Sequence, residues 1–176
     1  MDLVSSTELL SGKTEDSLVD IAKRTGEYLC NDALAEVDRR AAEHIARAMA
    51  KSAIEQVRCA LSQAITRARH LPRDLALMLA HDVDSVACPF LEITEVFSDS
   101  DWQSLILTVG NNARLAIGRR KSISDVLALT LAQLGDDEVI GTMLDNPKAP
   151  MTKPVCYTIL ERFFAEPAVM DKIGRA

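Results

Sequence analysis

Apolar residues recur three and four positions apart along most of the chain, which predicts helix after helix rather than the strict alternation of strands. Leu18, Ile21, Ala22 and Leu29 mark one face of a first helix. Thr14 is its expected N-cap, and Glu15 and Asp16 fall in the first turn, where carboxylates meet the positive end of the helix dipole. A much longer stripe follows: Leu34, Val37, Ala41, Ile45 and Ala48, then Ala50, Ile54, Val57, Leu61, Ile65 and Ala68. Asn31 or Asp32 caps it, and neither Pro nor Gly interrupts it before Arg69. The phase of the stripe shifts near Met49, so the segment is either one long helix or two that meet near Ala50–Ser52. A helix of that length is not held by propensity alone. It must pack along another helix, in this chain or in a second copy.

After Leu71-Pro72 the texture changes to short helices with tight breaks. Pro72 opens one at Arg73–Ala80, and Asp82 or Asp84 caps the next. Ser98-Asp99-Ser100-Asp101 has the form of a capping box ahead of Trp102–Val109. Gly110 is the expected C′ stop of that helix, and Asn111 restarts the chain as far as Gly118. Ser122 or Ser124, Asp136, Thr152 and Glu166-Pro167 open the remaining helices. The first helices of successive pairs start near Pro72, Ser98, Ser122 and Thr152. Their steps of about 26, 24 and 30 residues are those of a short helix-pair repeat. The expected architecture is all-α: an N-terminal helical segment over residues 1–70 with one long helix, then an α-solenoid of helix pairs over 71–176. Residues 1–14 read as a loose tail or a short docking segment.

Composition agrees with helices. Ala and Leu fill about a quarter of the chain while aromatics are only 4%, which speaks against an all-β protein. Met1–Gly12 lacks the basic and apolar regions of a signal peptide, and no apolar run reaches roughly 18 residues, so a cytoplasmic protein that crosses no membrane is expected. Cys30, Cys59, Cys88 and Cys156 are far apart and read as reduced apolar residues. Phosphate-binding glycine loops, the G-x-S-x-G elbow and H-E-x-x-H are all missing from the sequence. His81 with Asp82 and Cys88 fits no standard zinc spacing, and His44, although preceded by Glu43, is one histidine on a long helix rather than a phosphotransfer motif. No catalytic residue, cofactor or metal is therefore assigned.

Charge changes the picture more than composition does. Arg39, Arg40, Arg47, Lys51, Arg58, Arg67 and Arg69 crowd the long helix. From Asp74 to Ala113 the chain has no Lys or Arg, yet it carries Asp74, Asp82, Asp84, Glu92, Glu95, Asp99 and Asp101. Arg114, Arg119, Arg120 and Lys121 then arrive together. Such blocks predict complementary docking, either of the N-terminal helices on the repeats or of two chains.

Residues from about 70 to 165 resemble a bacterial domain-of-unknown-function family, DUF2336, built of HEAT-like repeats. The resemblance is carried by Leu71-Pro72-Arg73-Asp74-Leu75-Ala76, Val86-Ala87 with Pro89 and Leu91, and Ser98-Asp99-Ser100-Asp101. It continues through Ala116-Ile117-Gly118-Arg119-Arg120, Ser124-Asp125-Val126, Leu134-Gly135-Asp136-Asp137-Glu138-Val139 and Leu144-Asp145-Asn146-Pro147. Gly118 stands where the family pattern leads one to expect Ala, a packing change. The resemblance implies a helical-repeat fold and no activity.

The functional expectation is a non-enzymatic interaction or scaffold protein of the bacterial cytoplasm. Its candidate docking patch is Arg114, Arg119, Arg120 and Lys121 with Trp102. The partner is a protein of unknown identity, and a homodimer through the long helix is an open alternative. A nucleic-acid-binding solenoid and a phosphorelay component are the rival readings, the first disfavoured by a net charge of −6.

Overall fold

The structure, a computed structural model, describes residues 12–174. Residues 1–11, which hold most of the expected tail, lie outside the described part. The chain gathers into two compact units. One runs up to Phe90 and includes Thr94–Val96; the other comprises Leu91–Ile93 and the residues from Phe97 on. Among the described residues every regular element is a helix.

The first unit contains α1 (Glu15–Leu29), α2 (Glu36–Ala50), α3 (Glu55–Ile65), α4 (Arg73–Ala80) and the start of α5 (Asp84–Ile93). Thr14 caps α1 as expected, its hydroxyl accepting from the Ser17 amide at 3.4 Å. The long stripe belongs to two helices, not one. Lys51 ends α2, the Ser52 hydroxyl accepts from the Ile54 amide at 3.2 Å, and Arg58 Nη1 donates to the Ser52 carbonyl at 2.8 Å. A serine that offers the backbone a side-chain partner competes with the helix ladder, and here it wins where the apolar phase shifts.

The two halves of the stripe meet different fates. Val57, Leu61 and Ile65 of α3 are fully buried. On α2 the core is Ala42, Ala46 and Met49, while Val37 is 79% exposed. α3 packs closely on α1 through Gly26, where an added Cβ would stand 2.5 Å from Ala64 Cβ and 3.0 Å from its carbonyl carbon. Gly26 therefore sets helix spacing.

The charge blocks are partly explained inside this unit. Arg47 of α2 holds Asp74 of α4 with two hydrogen bonds of 2.7 and 3.0 Å, and Arg58 of α3 holds Asp82 in the same fork at 2.7 and 3.0 Å. Asp82 is thereby taken from the capping role expected of it. The N-cap of α5 is Val83, without a side-chain bond, and Asp84 is the first helical residue.

Arg47 also fixes a pH dependence. Its hydrogen bonds and charge hold the Asp74 carboxyl below the ordinary carboxylate range. A depressed carboxylate contributes stability above its unfolded-state pKa and loses it as the pH falls through the lower folded value. Because the Asp74 side chain is 60% exposed, solvent screening leaves about 0.5 kcal/mol. Urea unfolding of the native chain and of Asp74→Asn will differ by that amount at neutral pH, and the gap will close in acid below the ordinary carboxylate range. A gap that persists there would sink the ion-pair explanation.

The second unit contains the last turn of α5, then α6 (Asp99–Thr108), α7 (Asn111–Gly118), α8 (Asp125–Leu134), α9 (Asp137–Leu144), α10 (Lys153–Phe163) and α11 (Pro167–Ile173). α6 packs on α8 and α8 on α10, while α7 packs on α9 and α9 on α11. The helices thus fall in two rows. The N-caps are the polar residues the sequence singles out. Ser98 and Asp101 form the reciprocal capping box, Ser124 rather than Ser122 caps α8, and Asp136 accepts from the Val139 amide at 2.9 Å. Replacing Ser98 with alanine will cost about 1 kcal/mol in a urea titration. Gly110 corrects the sequence expectation: its φ is −69°, ordinary for any residue, and it is the N-cap of α7 rather than a left-handed stop.

The register of burial recurs with the caps. First helices are capped at Pro72, Ser98, Ser124 and Thr152, and the seventh residue past each cap is Leu79, Leu105, Leu131 or Ile159. None of these is more than 1% exposed. Second helices are capped at Val83, Gly110, Asp136 and Glu166, and the third residue past each is Val86, Ala113, Val139 or Val169, none more than 3% exposed.

Candidate functional site

The five residues of the expected docking patch are not one surface. Arg120 and Trp102 are each only 4% exposed. A carbonyl in the last turn of α5 and one in the segment after α7 draw the guanidinium inward: Nη1 donates to Leu91 O at 2.5 Å and Nε to Ser122 O at 3.2 Å. The same guanidinium lies 4.4 Å over the Trp102 ring, which Phe97 meets edge-on at 5.0 Å. A desolvated cation over an indole face is attracted by the ring quadrupole. Arg120 and Trp102 are therefore a buried node of the second unit.

Arg114 is half-buried and donates through Nε to Ile106 O at 2.9 Å, closing the end of α6. The end of α7 is closed by Asn146. Its Nδ2 donates to Gly118 O at 2.9 Å and to Arg120 O at 2.8 Å. Arg119 and Lys121 are the exposed members of the set.

The other candidates for chemistry are dispersed. His44, His70 and His81 are exposed, and the His81 ring nitrogen Nδ1 sits 3.0 Å from Leu77 O of its own helix. Glu43, the neighbour of His44, pairs with Arg47 at 3.6 Å. Burial pushes the Cys30 thiol above its ordinary pKa, and its Sγ donates to Ala64 O at 3.3 Å, the state of a packing cysteine rather than a nucleophile. Among the described residues no group of three or more His, Cys, Asp and Glu is placed to hold a metal ion. Nor is any described helix long and apolar enough to cross a membrane.

A feature that residue-by-residue reading misses lies on the α6, α8, α10 row. Val126 stands two residues past its N-cap, Leu129 five past the same cap, Tyr157 five past Thr152 and Leu107 nine past Ser98. Positions two, five and nine fall on one stripe of a helix, opposite the buried seventh. Leu107 is 65% exposed, Val126 40% and Tyr157 70%, and Phe164 just past α10 is 75% exposed. Among the described residues of α7, α9 and α11 no large apolar side chain is exposed. Aligning the helices by their caps is the signal that would have found the stripe, because each residue alone reads as core.

A bacterial family described as an uncharacterised protein conserved in bacteria (DUF2336) matches residues 86–175, about half the chain. The chain belongs to the DUF2336 family. The DUF2336 match begins within α5 and covers all of α6 to α11, so it contains the Arg120–Trp102 node and the exposed stripe alike. No curated protein and no solved structure matches the chain.

Proposed function

We propose that this protein is a non-enzymatic interaction or scaffold protein of the bacterial cytoplasm, and that its HEAT-like helix pairs present the outward stripe of α6, α8 and α10 to a protein partner. The observation that carries the reading is the one-sided exposure of Leu107, Val126, Tyr157 and Phe164, set against a second row that exposes no large apolar side chain. Large apolar side chains left exposed on one row of helices suit an interaction surface, and stacked helix pairs spread such a surface over several repeats. Arg119 and Lys121 supply an exposed cationic neighbourhood in the same unit, suited to a partner with an acidic border.

The nucleic-acid reading is weaker, because it needs cations on successive repeats. Arg114 and Arg120 are turned to backbone carbonyls. The test is affinity capture from the native cytoplasm with the full chain and with Leu107→Asp/Tyr157→Asp, both checked for folding by circular dichroism. Proteins captured by the native chain will be lost from the variant and retained by Val37→Asp, a substitution in the first unit. Identical captured sets from the native chain and the double variant would overturn the reading.

A further inference from the structure

The strongest unassigned feature is the uncovered face of α2 in the first unit. The α3 half of the long sequence stripe is buried, but α2 leaves Val37, Ala41 and His44 exposed and Ile45 and Ala48 half-buried. Val37 is the most exposed large apolar side chain among the described residues. With 3.6 residues per turn, Val37, Asp38, His44, Ile45 and Ala48 all lie within about 60° of Ala41 around the helix. The buried Ala42, Ala46 and Met49 lie further round, toward the interior of the unit. Beside the stripe, between α1 and α2, a groove of about 320 Å³ lined by Tyr28, Ala42 and Ile45 widens the same face toward α1.

We propose that this face joins two copies of the chain, paired antiparallel along α2 with the two-fold axis at Ala41. The inference does not rest on the partner surface of the second unit.

The order of residues along the stripe chooses a second copy. A two-fold contact needs a surface complementary to itself. Antiparallel helices that meet at Ala41 set each residue level with the one equally far on the other side of Ala41. Val37 is then level with Ile45 of the second copy, and Asp38 with His44 of the second copy. Apolar side chains share one level, and a carboxylate shares the next with an imidazole, which offers it a donor.

Charge selects the same arrangement. Most of the cations about this face are engaged within the chain: Arg24 with Asp20, Arg40 with Glu36, and Arg47 with Glu43 and Asp74. Asp38 and His44 belong to no ion pair among the described residues. A parallel pairing would bring the two Asp38 carboxylates to one level, which the antiparallel pairing avoids. The residue at the centre also fits. Packed helix axes stand 8–10 Å apart according to the side chains at the contact, and an alanine on the axis permits the near end of that range.

The test is sedimentation equilibrium of the full chain and of variants at exposed positions, each checked for folding by circular dichroism. The native chain will show a mass that rises toward two chains as its concentration is raised to about 100 μM. Val37→Asp will raise the dissociation constant about tenfold or more with an unchanged spectrum. Under mild oxidation Ala41→Cys will form a disulfide-linked dimer, because residues on the axis bring their Cβ atoms within the roughly 4 Å that a disulfide requires. The native chain and Glu36→Cys, on the far side of α2, will form none. A native chain with the mass of one copy throughout would overturn the proposal. So would a dimer that survives Val37→Asp, or one that Ala41→Cys does not link. A dimer lost instead in Leu107→Asp/Tyr157→Asp would overturn it too, and would assign self-association to the second unit.

Discussion

Replacing Arg120 with methionine will lower the stability of the second unit by about 3 kcal/mol, one of the largest effects expected of any single substitution in the chain. Methionine keeps an apolar stem of similar reach but offers no donor. Leu91 O and Ser122 O then lose a charged donor, and a hydrogen bond to a charged group contributes about 1.5–3 kcal/mol. The cation over Trp102 adds up to about 2 kcal/mol when desolvated, part of which the thioether recovers as an aromatic contact. Arg120→Lys will lose about half as much, because one ammonium cannot span both carbonyls while lying flat on the ring. Trp102 is the only tryptophan and sits under the guanidinium, so its fluorescence during urea unfolding reads this unit directly. Stability of Arg120→Met within about 0.5 kcal/mol of the native value would show that the node is not structural.

Gly26→Val will have the other large effect, a loss of about 3 kcal/mol in the first unit. The Cβ that any substitution adds falls 2.5 Å from Ala64 Cβ and 3.0 Å from the Ala64 carbonyl carbon, well inside contact distance, so α1 must move off α3. Gly26→Ala will lose less, since alanine regains about 1 kcal/mol of helix propensity. Adding Ala64→Gly to Gly26→Ala removes the side-chain clash and leaves the backbone one, so it will restore part of the loss, a coupling that circular dichroism of the four-member cycle can measure. A Gly26→Ala chain more stable than the native one would mean that the helices have slack at this crossing.

The helix ends of the second unit were legible because their chemistry is local. Ser98 with Asp101, Ser124, Asp136 and the prolines after Thr152 and Glu166 act within three residues of themselves, so sequence spacing alone positions them. The break after Ala50 carries no Gly or Pro, and only the phase of the stripe hinted at it. What fixes it is Arg58 reaching back to Ser52 O, a bond across a turn that a helical reading does not anticipate. Gly26 is opaque for a related reason: its role exists only once Ala64 stands opposite.

The basic run shows the same limit in the candidate site. Arg119, Arg120 and Lys121 are chemically alike in sequence, and the difference between them is a carbonyl at Leu91 and an indole at Trp102, both far along the chain. The charge blocks were read correctly as complementary in kind. Their use in Arg47–Asp74 and Arg58–Asp82 is internal to the first unit, which leaves fewer charges for a partner than the sequence offers. The stripe that one long helix would present is divided between two helices, and its α3 half is buried in the packing of α3 on α1.

Site-specific photo-cross-linking in the living bacterium tests the central claim most directly. A photoreactive side chain placed in turn at positions 107, 126 and 157 will give the same protein adduct at all three. One placed at Thr142 or Ala168, on the other row, will give none. Equal adducts from both rows, or adducts from the second row alone, would contradict an interaction surface on α6, α8 and α10.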